Sequence, residues 1–172
     1  MKEAIFHVGP RVTIHDVPIL ELGADDVLIK VIVSGTNLKD YKMAQWGQGD
    51  KNSGDDIAGF IHRVGSNVTE FHPGDRVAAM HKLREPHGSY AEYALAPAHT
   101  TFHIPKALSF EDAATVPLAA MTAAVGLFLR LGLPQPFVPA SKPIPLLIYG
   151  AASAVGSYAI KLAKHSNIHP LI

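Results

Sequence analysis

A run of small residues near the end of the chain has the composition of an anion-binding turn. The stretch LLIYGAASAVGSYAIKLAK at 146–164 reads as an apolar strand, a tight turn and a helix. Free backbone N–H groups and the helix dipole at such a turn favour a phosphate. The turn residues are Ala151, Ala152, Ser153, Ala154, Val155 and Gly156. Dinucleotide-binding turns carry glycine at three of these positions, and only Gly156 is present, so an alanine-rich helix start packed on a sheet remains an alternative.

Composition narrows the classes of protein that the chain can represent. It has 172 residues, 15 basic and 15 acidic side chains, and no cysteine, which excludes disulfides and thiolate metal sites. The balanced charge gives no pull toward nucleic acid. The N-terminus lacks a signal-peptide core and no apolar run is long enough to span a membrane. We therefore expect a cytoplasmic protein. The ten histidines show no paired spacing typical of metal ligands, so we expect no metal site.

The first hundred residues predict a β-barrel or sandwich. Runs at 3–8 and 11–17 flank Gly9-Pro10 and predict a hairpin. The next run, 25–35, predicts a strand that places alternate residues on one face: Val27, Ile29, Val31 and Val33. Further strands are expected at 56–68, 71–80, 88–97 and 100–105. Many short strands separated by turn residues are typical of barrels and sandwiches.

The pattern changes to helix after Ser109, which is a suitable N-cap. Pro117 is expected to break that helix, and a second helix is expected over 118–131. A proline-rich connector follows. The segment 145–172 then predicts a β-α-β unit, whose first strand is a continuous apolar run of the kind buried on both faces of a parallel sheet.

The order of the motifs resembles one enzyme superfamily. GTNLKD, GDDIAG, PGDRV, GSYAEY, LSFEDAATVPLAAMTAA and LLIYGAASAVG occur in the order found in medium-chain dehydrogenases/reductases. The sequence is most similar to zinc-independent quinone and enoyl reductases, and RLGLPQPFVPASKPIP resembles the fungal trans-acting enoyl reductases of polyketide synthesis. The resemblance implies a mixed α/β fold. A GroES-like, partly open β-barrel at 1–117 would precede the first β-α-β unit of a Rossmann domain at 118–172.

The resemblance also implies an activity. Such enzymes reduce an activated C=C bond or a quinone with NADPH. Zinc-dependent relatives have cysteine at the position of Asn37 and histidine at that of Asp55, so zinc-independent chemistry is implied here. Asn37 and Asp40 match the N-x-x-D motif of the quinone-reductase-like members. Lys42 matches a lysine that lines the nicotinamide site, where it holds the ribose or the enolate oxygen.

These matches define the expected site residues. Asn37, Asp40 and Lys42 are expected to be catalytic, with Asn37 and Lys42 also contacting the cofactor. The other expected cofactor contacts are Thr122, Ala152, Ser153, Ala154, Val155 and Gly156, and the expected substrate contacts are Trp46, Leu118 and Thr122. Simpler structural roles exist for several of them. Five alternatives remain open: a solvated lysine at Lys42, a turn former at Asn37, a cap at Asp40, a hydrogen bond of Thr122 to its own helix, and a surface aromatic at Trp46.

The chain ends at the start of a second Rossmann strand, so the resemblance implies the front half of a longer protein. The expected partners are a small-molecule substrate and either a missing C-terminal half or a second copy. Hydride transfer by this chain alone is not expected. The alternative is a non-catalytic GroES-like binding or oligomerisation module with a remnant of a Rossmann unit.

Overall fold

The computed structural model describes residues 1–9 and 11–172, which form two compact units, Met1–Pro117 and Leu118–Ile172. Within these ranges the strands are β1 Lys2–His7, β2 Arg11–Asp16, β3 Asp26–Gly35, β4 Asp56–Val64, β5 Arg76–Met80, β6 Tyr93–Pro97 and β7 Thr101–His103. The helices are α1 Leu38–Gln45, a 3₁₀ turn Ala98–Thr100, α2 Phe110–Ala114, α3 Pro117–Ala124, a π-helical segment Val125–Arg130 and α4 Ala154–His165. None of these described helices is long and apolar enough to cross a membrane.

The two N-terminal strands form the hairpin that the sequence predicts. β1 and β2 are antiparallel and pair in register from Lys2 opposite Asp16 to His7 opposite Arg11. Pro10, in the predicted turn, lies outside the described residues. The β-rich composition of both runs and the turn signal between them account for the element.

The other five strands form one curled antiparallel sheet in the order β6-β3-β4-β5-β7. One face carries the main core, which consists of Val27, Ile29, Ile57, Ile61, Val68, Phe71, Val77, Ala79, Ala94 and Ala96. Burying each large apolar side chain contributes roughly 1.5–3 kcal/mol, so this cluster dominates the stability of the first unit. The mixed α/β class expected from the sequence is confirmed.

Strand β3 departs from the simple alternation predicted for it. Its pairing with β4 shifts register between Val31 and Val33. Val31 packs against the main core, whereas Val33 packs against a second cluster on the other face, with Ala58 and Ala78. The prediction that Val33 shares a face with Val27 is therefore wrong. One inserted residue reverses the direction of every side chain that follows it.

Helix α2 closes the second cluster of the first unit. Ser109 caps it as predicted, because the Ser109 hydroxyl oxygen accepts a hydrogen bond from the Asp112 N–H at 3.0 Å. Ala113 and Ala114 are buried against the sheet with Ala58. A side chain at Gly35 would collide with the Ala114 carbonyl oxygen, so glycine is required where this helix approaches β3.

The helix predicted over 118–131 is present, and it differs from the prediction in two details. Helix α3 begins one residue earlier, at Pro117, which fits the first turn because that position needs no N–H donor. The chain then widens into the π-helical segment, in which the Leu131 N–H donates to the Gly126 carbonyl oxygen at 3.0 Å. Leu127 and neighbouring Phe128 both reach the core of the second unit in this way.

The second unit contains the expected β-α-β connection in a reduced form. Leu146 pairs in parallel with Leu171, and the Ile148 N–H donates to the Ile172 carbonyl oxygen at 2.8 Å. The prediction of a strand buried on both faces is wrong, because Leu147 is 72% exposed and Tyr149 is fully exposed. Helix α4 covers the side that carries Leu146 and Ile148, and the other side meets solvent.

Candidate active site

The start of helix α1 is held by two acidic side chains. The Asn37 backbone N–H donates to the Asp40 carboxylate at 2.8 Å, which closes the first turn of the helix. The Asn37 side-chain amide donates to the Asp56 carboxylate at 2.7 Å. The Asn37 side-chain amide is therefore bonded within the fold, and Asp56 anchors the start of α1.

Lys39 lies at the centre of a buried ionic cluster. Its ammonium nitrogen is 2.6 Å from an Asp55 carboxylate oxygen and 3.0 Å from an Asp40 carboxylate oxygen. It also donates to the Ser53 carbonyl oxygen at 2.6 Å. An ammonium has three N–H donors, and three oxygens surround this one. Asp40 and Asp55 are 5% and 2% exposed, so the ion pairs lie inside the first unit.

Tyr90 completes the cluster from the segment that precedes β6. Its hydroxyl donates to the Asp40 carboxylate at 2.6 Å, on the same oxygen that accepts the Asn37 N–H. Asp40 thus bonds to Asn37, Lys39 and Tyr90 at once, and it joins α1 to the sheet. We refer to Lys39, Asp40, Asp55 and Tyr90 as the ionic cluster.

Burial and charge act in opposite directions on the pKa values of the cluster. Burial lowers the pKa of Lys39, but the pairs with Asp55 and Asp40 outweigh it, so the pKa of Lys39 lies above its ordinary value. Burial raises the pKa of Asp55, and Lys39 offsets this only in part. Burial and the neighbouring Asp40 raise the pKa of Tyr90 far above its ordinary value. Lys39 therefore stays charged and Tyr90 stays protonated at neutral pH.

Helix α1 lies between two cavities. Cavity A, of about 290 Å³, is bordered by Lys39, Met43, Trp46, Ser53, Asp55 and Leu83, among others. Cavity B, of about 420 Å³, is bordered by Phe6, Asn37, Leu38, Asp40, Tyr41 and Tyr90, among others. One face of the helix carries Lys39, Met43 and Trp46, because these positions recur at helical spacing. That face combines an apolar wall with a fixed charge, as small-molecule sites commonly do.

The structure distributes the expected residues of the first unit over both cavities. Trp46 borders cavity A, and Asn37 and Asp40 border cavity B. Lys42 borders neither, and it lies half-buried on α1 between Leu38 and Trp46. Within residues 1–9 and 11–172, its ammonium has no hydrogen-bond or ion-pair partner. Lys42 is thus free to bind a ligand, whereas Lys39 is fully engaged.

The small-residue turn of the second unit has the geometry of an anion site. Helix α4 begins at Ala154, and the Ser153 hydroxyl oxygen accepts the Gly156 N–H at 3.0 Å. A β-carbon at Gly156 would collide with the Gly150 carbonyl oxygen and come within 2.8 Å of the Ala151 α-carbon. The N–H groups of Ala154 and Val155, at the first two helical positions, have no intrahelical acceptor. The residue that matches the fingerprint is therefore required for the close approach of turn and helix.

Two expected site residues lie on α3. The Thr122 hydroxyl donates to the Leu118 carbonyl oxygen at 2.7 Å, which is the local helix bond that the sequence left open as an alternative. Thr122 is exposed and Leu118 is half-buried. Their contact with cofactor or substrate stays a prediction, as do the roles of Ala152, Ser153, Ala154 and Val155.

Sequence reasoning missed Lys39 and Tyr90 as members of the site. The signal that points to Lys39 is the acid pair Asp55-Asp56 in the otherwise apolar stretch GDDIAGF, because buried carboxylates require a cation. Tyr90 had no comparable signal, since its alternation with Ala91 only indicates a strand. Among the residues described, no three His, Asp or Glu side chains group so as to hold a metal ion.

Tyr90→Phe tests the hydrogen bond to Asp40. The substitution removes one donor from a buried carboxylate, and we expect it to lower the free energy of unfolding by about 2 kcal/mol. Urea unfolding at neutral pH measures the change. Tyr93→Phe is the matched control, because the Tyr93 hydroxyl has no hydrogen bond to any described residue. Equal losses in both variants would contradict the assignment.

Comparisons with known proteins agree with this geometry. Residues 23–106 match the alcohol dehydrogenase GroES-like domain. The chain is 51% identical over its whole length to a trans-enoyl reductase of Gibberella fujikuroi, of which it covers 52%. The chain thus spans about half the length of the curated relatives that it matches.

Solved structures show the same fold. A zinc-dependent alcohol dehydrogenase protein from Rhizobium etli superposes on 99% of the chain with a TM-score of 0.82 and 28% identity, and the match covers 52% of that protein. The quinone oxidoreductase of Coxiella burnetii gives a TM-score of 0.76 with 27% identity over 99% of the chain and 55% of its own. The curled sheet, the GroES-like domain and these relatives show that the chain belongs to the medium-chain dehydrogenase/reductase superfamily.

Proposed function

We propose that this chain contributes the substrate site and the diphosphate-binding turn of a zinc-independent, NADPH-dependent reductase. The substrate class is an activated C=C bond, in an enone or an enoyl thioester, or a quinone. The observation that carries the proposal is the arrangement on α1. There Lys42, whose ammonium has no partner among the described residues, lies on the same helix as Lys39 and Met43, which border cavity A. The Lys39 ammonium is paired with Asp55. The relatives named as trans-enoyl reductases and quinone oxidoreductase support the same class of reaction.

The chemistry requires a donor for developing negative charge. When bound, NADPH supplies a hydride to the β-carbon of the substrate, which leaves an enolate. Lys42 stabilises the enolate oxygen, because its N–H donors have no acceptor within the described chain. Lys39 borders cavity A, where it is ion-paired with Asp40 and Asp55 and donates to the Ser53 carbonyl oxygen. Tyr90 keeps its proton, since its hydroxyl is bonded to a carboxylate.

The proposal of zinc independence rests on the partners of two side chains. The Asn37 amide donates to Asp56, and the Asp55 carboxylate pairs with Lys39. At these two positions zinc-dependent relatives are expected to carry ligands. Here the Asn37 amide nitrogen and one Asp55 carboxylate oxygen are bonded within the fold, and neither position carries the cysteine or histidine that zinc sites of this kind use.

The turn at 150–156 fits a dinucleotide. Gly156 allows the close contact of turn and helix, and the N–H groups of Ala154 and Val155 are available to a diphosphate. The side chains of Ala152, Ser153 and Ala154 are exposed and small, so a phosphate can reach the backbone. We propose that these residues bind NADPH, with the remainder of the cofactor site supplied by chain beyond this unit.

NADPH titration tests the proposal directly. We expect cofactor fluorescence to rise and saturate at micromolar concentrations as NADPH is added to the 172-residue chain. Inorganic pyrophosphate should compete, because it occupies the same turn. If no binding is seen at millimolar NADPH, the reductase proposal fails, and the alternative of a non-catalytic GroES-like binding module is favoured.

A further inference from the structure

We infer that Lys39 is a positioning residue, whose ammonium acts as the internal counter-ion that holds Asp40 and Asp55 in place on the wall of cavity A. Only the part of the inference that concerns turnover rests on the proposed function. Its first test is independent of any cofactor. The contacts that carry it all lie within the first unit.

The charges of the cluster do not balance. Asp40 and Asp55 contribute two negative charges, and Lys39 contributes one positive charge at 2.6 Å and 3.0 Å from their oxygens. Both carboxylates are almost fully buried. A buried charge without a partner is far more costly than a buried pair. Lys39 is therefore the group on which the ionisation of both carboxylates depends.

No neighbouring ionisable group replaces the ion pairs of Lys39, because Lys51, a second cation near Asp55, lowers the pKa of Asp55 less than Lys39 does. The ionisable groups that face the cluster from outside it are Lys51, Asp56 and His81. A His81 ring nitrogen is 4.0 Å from an Asp55 carboxylate oxygen. Burial lowers the pKa of His81, so its imidazole is neutral at neutral pH and supplies no positive charge. Asp56 adds negative charge, and its oxygen bonds the Asn37 amide.

Asp40 links the counter-ion Lys39 to the candidate site. The Asp40 carboxylate binds the Asn37 N–H and the Tyr90 hydroxyl, and both bonds fix the first turn of α1. One turn further along this helix lies Lys42. Lys39 thus acts on the reaction through Asp40, by holding the helix that carries the free ammonium.

Lys39→Met tests the inference by removing the charge and keeping most of the volume. We expect the midpoint of urea unfolding, followed by circular dichroism, to fall clearly at about pH 8. It should recover as the pH approaches about 5, because a raised carboxylate pKa in the folded state favours the protonated form. That stability is present at low pH and is lost as pH rises through the folded pKa. Loss of packing alone would give a difference that does not depend on pH.

The double variant Lys39→Met/Asp55→Asn is the decisive control. It restores the net charge of the cluster, so we expect it to recover at least half of the midpoint lost in Lys39→Met. Asp55→Asn alone should have a smaller effect than Lys39→Met, since a neutral Lys39–Asp40 pair remains. Additive losses overturn the inference, and so does failure of the double variant to fold.

Turnover provides the second readout. In protein that reduces an enone, kcat of Lys39→Met should fall as the pH is raised, and the double variant should lack that decline. Unchanged pH profiles for both would show that the cluster supports the fold without positioning the site. Failure of NADPH to bind would refute the proposed function but would leave the unfolding result intact.

Discussion

In protein that reduces an enone, Lys42→Met is expected to lower kcat about 10²-fold, with little effect on stability. The loss follows from removing one preorganised donor to a developing oxyanion. The free energy of unfolding should not change, because the Lys42 ammonium bonds to no described residue. Steady-state kinetics with NADPH and urea unfolding of the same protein separate the two effects.

The matched control for Lys42→Met is Lys106→Met, at an exposed lysine of the same unit. It should change neither kcat nor the unfolding midpoint. A parallel loss of turnover and stability in Lys42→Met would assign Lys42 to the fold. Unchanged turnover would return it to the role of a solvated surface lysine.

Gly156→Ala is expected to abolish measurable NADPH binding, or to weaken it at least tenfold. The new methyl group would meet the Gly150 carbonyl oxygen and the Ala151 backbone, neither of which is a flexible side-chain end. Overpacking of this kind costs about 1–3 kcal/mol and would move the turn away from α4. Fluorescence titration with NADPH measures the loss.

Gly126→Ala is the control in the same unit. A β-carbon at Gly126 meets no atom within 4 Å, and its backbone φ is not positive. The substitution should leave NADPH binding unchanged and should stabilise the helix by up to about 1 kcal/mol. If both alanine variants bind NADPH as the unmodified chain does, the turn is not the cofactor site.

Local signals predicted most of the elements of the first unit. The hairpin, the strands and the Ser109 cap follow from alternation and turn residues, which act over a few positions. The shift between Val31 and Val33 could not be read in this way. Both sides of a strand are apolar when both faces of the sheet are covered, so alternation gives no sign of an irregularity there.

The sequence predicted the location of the candidate site but not its hydrogen bonds and ion pairs. The stretch from Asn37 to Lys42 forms the start of α1, as the motif implies. No sequence pattern singled out Lys39, because its partners Ser53 and Asp55 come from a separate loop that follows α1. Contacts of this kind depend on the closure of the whole sheet, which no short-range pattern encodes.

The exposed apolar side of the second unit was not predicted for the same reason. A continuous apolar run predicts burial on both faces, but Leu147 and Tyr149 meet solvent in this structure. The composition of the segment alone therefore does not determine which of its two faces is covered.

The placement of Trp46 has a practical consequence. It is the single tryptophan of the protein, it is 68% exposed, and it borders cavity A. A molecule that enters the cavity would cover the indole ring and displace water from it. Intrinsic emission excited at the tryptophan band would then shift to shorter wavelength, so candidate substrates can be screened without a label and without turnover.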